Sequence, residues 1–144
     1  MIFRAKNEIL EDFRVQLATF AIEKDGKVAH REFGRGIAPV IAAFDTKKEL
    51  LRNSCVYDTI VGKAAAAVFV LSGVRAVYGE TMSQSAMELL RQNQIVFEYQ
   101  EKTEQIINRR GDGLCPFEQA VLSCQTAEQC LPIIRETMAR LKNS

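Results

Sequence analysis

The sequence has a single histidine, no Cys-x-x-Cys pair and no long apolar run, and each shortage removes a class of function. The four cysteines stand at 55, 115, 124 and 130, and no second histidine is available to complete a zinc set with His30. A structural zinc site is therefore not expected, and no cofactor is. The longest apolar run, Ala64–Leu71, is far too short to cross a bilayer. The opening MIFRAKNEILEDF alternates charged with apolar residues and lacks the apolar core of a secretory signal. The expectation is a cytoplasmic protein with no membrane partner. A cytosolic chain of this size does not need disulfides, so the cysteines are read as thiols. The formal net charge of +1 supplies no broad basic field, so nucleic acid is not an expected partner. No repeat, linker or low-complexity segment divides the 144 residues, which are read as one domain over 1–144.

What is present is a regular succession of hydrophobic periods. Ala5–Phe13 carries Ile9, Leu10 and Phe13 at helical spacing. Apolar residues then alternate on both sides of Asp25-Gly26, the pattern of a β-hairpin. Gly34-Arg35-Gly36 breaks the second strand, and Pro39 suits the first turn of a helix through Ile41 and Phe44. Ser54–Tyr57, Val74–Tyr78 and Ile95–Tyr99 read as strands. Between them lie a helix over roughly 60–71 and another capped by Thr81 with Gln84 or by Ser85 with Glu88. The loop NRRGDGLCP precedes a short helix from Pro116, and a last helix starts near Thr126, with Pro132 as a kink site. Strand-helix-strand repeats with short connections require right-handed parallel crossovers, so helices are expected on both faces of the sheet.

This order of elements resembles the cytidine-deaminase-like fold, whose active members place H-x-E and P-C-x-x-C at two helix starts around one zinc ion. Here GRGIAP and DTIVGKAAA stand at those positions. His30-Arg31-Glu32 matches H-x-E, but it falls inside the second strand of the hairpin and is read as coincidence. The fragments G-R-G-x-x-P at 34–39, D-x-x-x-G-K-A-A at 58–65 and N-R-x-G-x-x-x-C-P-x-E at 108–118 together resemble an uncharacterised prokaryotic family, a zinc-less branch of that superfamily. The resemblance implies an α/β fold, a three-layer α/β/α sandwich with a mixed sheet opened by an antiparallel hairpin. It also implies a pocket where the zinc would be, and assembly into a homo-oligomer.

The stretch YDTIVGKAAAAVF, residues 57–69, puts Lys63 at the positive end of a helix dipole, a placement unfavourable by about 0.3–1 kcal/mol if nothing compensates. Asp58 at or near the N-cap would offset it, and Gly62 would let another group approach the backbone. Free amides, a bare backbone and an ammonium make an anion cradle, although G-x-x-x-x-G-K-[ST] is absent and ATP hydrolysis is disfavoured. The alternative is a solvated or Asp58-paired lysine. In the deaminase-like plan Arg35 and Gly36 face Lys63 across the pocket. The pair then suits an anionic small molecule such as a nucleotide or sugar phosphate. Cys115, as N-cap of the Pro116 helix with Glu118 as its capping-box acid and Arg109 and Arg110 nearby, is a candidate nucleophile, against the alternative of a buried apolar thiol. Asn108 and Arg109 either shape the pocket rim or satisfy the loop. The expected catalytic residues are thus Asp58, Lys63 and Cys115, and the expected ligand contacts are Arg35, Gly36, Gly62, Lys63, Asn108, Arg109 and Glu118. Three functions fit: a metal-independent enzyme on a phosphorylated or nucleotide-like metabolite, a non-catalytic sensor of such a ligand, or a filled pocket in a protein that works through an oligomeric surface.

Overall fold

The computed structural model describes residues 4–142. Its elements are α1 (Asn7–Val15), β1 (Phe20–Lys24), β2 (Lys27–Glu32), α2 (Ala38–Thr46), α3 (Lys48–Leu51), β3 (Cys55–Val61) and α4 (Lys63–Ser72). They continue with β4 (Ala76–Ser83), α5 (Gln84–Gln92), β5 (Val96–Thr103), α6 (Pro116–Ala120) and α7 (Ala127–Lys142). The five strands form one mixed sheet in the order β2-β1-β3-β4-β5. β1 is antiparallel to both β2 and β3, while β3, β4 and β5 are mutually parallel.

Local chemistry explains most of these boundaries. Asp25 and Gly26 both take positive φ, 55° and 81°, as the tight turn between β1 and β2 requires. Pro39 lies in the first turn of α2, where its missing N–H leaves no helical bond unmade. α4 ends on Gly73 at φ 71°, a left-handed cap. The capping expectation for α5 is corrected: neither Thr81 nor Ser85 caps it. Ser83 is the N-cap, and its hydroxyl accepts the Ala86 N–H at 3.1 Å. The β4 pairing with β5 runs on through Thr81 to Ser83 and so takes Thr81 into the strand.

Two apolar clusters lie on the two faces of the sheet. The smaller joins Ile9 and Phe13 of α1 to Ala21, Tyr57 and Tyr78. The larger joins Phe20, Ile22 and Val56 to α2, α4, α5 and α7. Ala64–Ala67 are all buried in it, which explains the alanine run: α4 packs against α2, α5 and α7 as well as β3, and small side chains let all of them approach. Phe20 stacks on Phe69 with ring centroids 5.9 Å apart.

Three strands, β3, β4 and β5, run past the ends that the hydrophobic pattern indicates, and one consequence reaches the site. β3 extends to Val61, so Asp58 is a strand residue paired with Phe20 on one side and Gly79 on the other. It is not the N-cap of α4; Gly62 is.

Candidate functional site

The leading amides of α4 are capped by a side chain of the same protein. Glu118 on α6 directs its carboxylate at the two leading amides of α4. Oε1 accepts the Lys63 N–H at 2.8 Å and Oε2 accepts the Ala64 N–H at 2.9 Å. One oxygen per amide suits an ionised carboxylate on a helix N-terminus. Burial pushes the Glu118 carboxyl above its ordinary value, while the Ala64 and Lys63 amides and the Lys63 ammonium pull it back down.

Gly62 makes this contact possible. A Cβ added there would stand 2.5 Å from both Cδ and Oε1 of Glu118, and 2.6 Å from Oε2. The backbone at Gly62, φ −96° and ψ −177°, is ordinary extended geometry, so the glycine serves close approach rather than an unusual turn. The capping-box role expected of Glu118 on its own helix is therefore corrected: it caps α4, and Cys115 makes no side-chain cap for α6.

The Lys63 side chain is engaged elsewhere than its amide. Its ammonium donates to the carbonyls of Leu122 (3.2 Å) and Cys124 (2.5 Å), tying the start of α4 to the chain between α6 and α7. Arg35 is exposed in the 34–36 loop, where Gly36 has φ 67°. Among the described residues Arg35 bonds neither of the carbonyls that hold the Lys63 ammonium, so the two cations do not share an engaged group. Asn108 serves its own loop: Oδ1 accepts the amides of Gly111 and Asp112, and Nδ2 donates to Asp112 Oδ1. Arg109 is exposed beside it.

Asp58 is buried between its neighbours in the sheet. Burial holds its carboxyl well above the usual carboxylate range, and the nearby backbone N–H groups of Thr59 and Ile60 pull it only part of the way back. The native state therefore keeps a proton that the unfolded chain has released, and the resulting stability is full below the unfolded pKa and lost as pH rises through the folded one. Asp58→Asn should remove this dependence. In urea denaturation across a pH series, wild type should lose stability relative to the variant as pH rises from about 4. Parallel stability–pH curves for the two proteins would contradict the assignment.

Among the thiols, Cys115 is half-buried, whereas Cys55, Cys124 and Cys130 are buried, and all four are free. Burial and the neighbouring Cys124 push Cys130 up to about 12, so it is not an activated nucleophile. His30 and Glu32 lie on the same strand with Nε2 and Oε2 2.7 Å apart, a same-face pair rather than a metal set. Among the described residues no three His, Cys, Asp or Glu side chains gather as metal ligands. No helix there is long and apolar enough to cross a membrane.

Two polar networks on the α1 face join residues far apart in the sequence. The Tyr57 hydroxyl donates to buried Glu23 at 3.1 Å, and Lys6 approaches the other Glu23 oxygen at 3.4 Å. Arg14 forks onto both oxygens of Glu80 and also reaches the Tyr78 hydroxyl. The one sequence signal for the second is the run Tyr78-Gly79-Glu80, a polar continuation of an apolar strand.

Comparison with known proteins agrees with this architecture. The family model described as "TM1506: Domain of unknown function (DUF1893)" matches residues 8–138. The chain is similar to the crystal structure of a DUF1893 family protein (TM1506) from Thermotoga maritima, at 25% identity and a TM-score of 0.83, over 96% of this chain and 93% of that one. No curated protein matches it.

Proposed function

This chain belongs to the DUF1893 family, and from that premise we propose that it is a single metal-free domain on the cytidine-deaminase-like plan, one that acts through its surface rather than through a ligand pocket. Three features support the plan: the element order, the antiparallel hairpin that opens a mixed sheet, and the placement of α2 and α4 on one face. One observation carries the functional reading. The amides that an anionic nucleotide-like or phosphorylated ligand would use at the start of α4 already bind the Glu118 carboxylate. An external anion would have to displace a covalently tethered carboxylate whose effective concentration is far above that of a dilute metabolite. The Lys63 ammonium, held by two carbonyls, would have to be released as well.

The reading is tested by thermal shift with a panel of nucleotides and sugar phosphates. A ligand that binds the native state raises the melting temperature by mass action. The expected result is no shift from any member of the panel. A ligand that raises the melting temperature of wild type, with the effect lost in Lys63→Ala, would overturn the proposal and restore an anion site made of Arg35, Gly36, Gly62 and Lys63.

A further inference from the structure

Eight large apolar side chains among the described residues are exposed, and four of them gather at one end of the sheet. Because β1 is antiparallel to both β2 and β3, its start lies beside their ends. Thr19 ties the three together: its amide donates to the Glu32 carbonyl at 2.9 Å, its hydroxyl donates to the Gly34 carbonyl at 2.6 Å, and its carbonyl accepts the Thr59 N–H at 3.1 Å. Leu17, Phe33 and Ile60 each stand within two residues of these bonding groups, and Val15 closes the helix that leads into Leu17. Val15, Leu17, Phe33 and Ile60 are 70, 80, 58 and 53% exposed. The other four, Tyr99, Ile107, Leu122 and Leu141, are distributed over β5, the loop after it, the α6–α7 connection and α7, as single exposed side chains commonly are.

Leu17 is held in this patch under strain. It follows Gln16, the C-cap of α1, and takes φ 57°. Glycine fills that left-handed position at a helix end most readily, and asparagine next. A leucine there that stays mostly exposed gains no burial within the chain in return. Strain combined with exposed apolar area calls for a contact outside the chain.

The size and charge of the patch identify the occupant. At these exposures the four side chains present on the order of 400 Å² of apolar surface. A standard interface covers about 800 Å² on each partner, a little over half of it apolar, so the patch supplies about the apolar share that a stable dimer needs. Of the charges around it, Arg14 holds Glu80 and Arg31 holds Asp12, while Glu11 and Arg35 stand outside these pairs, both exposed. Glu11 lies one helical turn before Val15 on α1, and Arg35 lies in the loop that leads to α2, which packs on the opposite face of the sheet. An acid on one side of the patch and a base on the other suit a twofold arrangement, in which each meets its opposite on the second copy. We propose that Val15, Leu17, Phe33 and Ile60 form the centre of a homodimer interface, with a second copy of this chain seated on them about a twofold axis near Leu17. This interface gives a location to the surface action proposed above and rests on that reading.

Sedimentation equilibrium over a micromolar concentration series tests it. Wild type should dimerise. Leu17→Asn should raise the dimer dissociation constant at least about tenfold while leaving the fold no less stable in urea, since asparagine accepts the left-handed position. Phe33→Ser should weaken the dimer similarly, whereas Ile107→Ser, an equivalent change at an exposed residue in the loop after β5, should not. Arg35→Glu should weaken it too, and Glu11→Arg added to that variant should restore it. A wild type that is monomeric throughout the series overturns the proposal and leaves the patch to a different partner. A dimer that Leu17→Asn and Phe33→Ser leave unchanged, or that Ile107→Ser weakens as much, overturns it as well. None of these results bears on the Glu118 cap, which the ligand panel decides.

Discussion

Glu118→Ala should lower stability by about 3 kcal/mol, or about 10 °C in melting temperature for a chain of this size. The substitution leaves the Lys63 and Ala64 amides without the acceptors they now have at 2.8 and 2.9 Å, at the positive end of a helix whose next residues are buried. Each lost bond to a charged group contributes about 1.5–3 kcal/mol, and water reaching the half-buried Lys63 end recovers a part. Glu118→Gln should lose most of the same stability despite its matching shape, because its amide turns a donor toward one of the two N–H groups. Urea denaturation of the three proteins measures this. A Glu118→Ala variant within about 0.5 kcal/mol of wild type, the usual range for a surface change, would mean that the carboxylate does not hold the helix start.

Gly62→Ala should be nearly as damaging as the loss of Glu118, and for the same reason. The added methyl would occupy the place of the carboxylate, 2.5 Å from Cδ and Oε1, so Glu118 has to swing out and give up both amides. Alanine meets no torsional strain at this backbone geometry. The effect should therefore disappear once the carboxylate is gone. In a Glu118→Ala background, Gly62→Ala should fall within about 0.5 kcal/mol of neutral, since alanine's poorer capping and its lower unfolded-state entropy offset each other. The double-mutant cycle should thus show a coupling of about 2 kcal/mol, against near-additivity if the two residues act separately.

Much of the fold was legible in local pattern, and the site was legible in its parts but not in its connections. Asp25-Gly26 fixed the hairpin turn and Pro39 the start of α2, because φ preference acts within one or two residues. The ends of β3, β4 and β5 were not legible. Asp58 reads as an N-cap of the next helix, yet the strand runs through it to Val61 and the helix starts only at Lys63. Gly79 and Glu80 likewise read as loop, but Glu80 is held by Arg14 from α1 and Gly79 lies against Val61 of the neighbouring strand, where a Cβ would meet Val61 Cγ2 at 3.0 Å. At the site, the glycine, the lysine in the first turn and the acid at 118 were each visible. Glu118 bonds Lys63 and Ala64 across separations of 55 and 54 residues, and no local period encodes which acid reaches which helix. The helix dipole at Lys63 calls for a compensating anion; Asp58 is the sequence neighbour, and Glu118 is the spatial one.

Anion rescue is the most direct measurement of the closed cradle. If Glu118 occupies an anion site at the start of α4, its removal should open that site to small carboxylates. Acetate or formate, compared with chloride at equal ionic strength, should then raise the melting temperature of Glu118→Ala and leave wild type unmoved. A wild type stabilised by the same anions as much as the variant, or a variant that no carboxylate stabilises, would contradict the account.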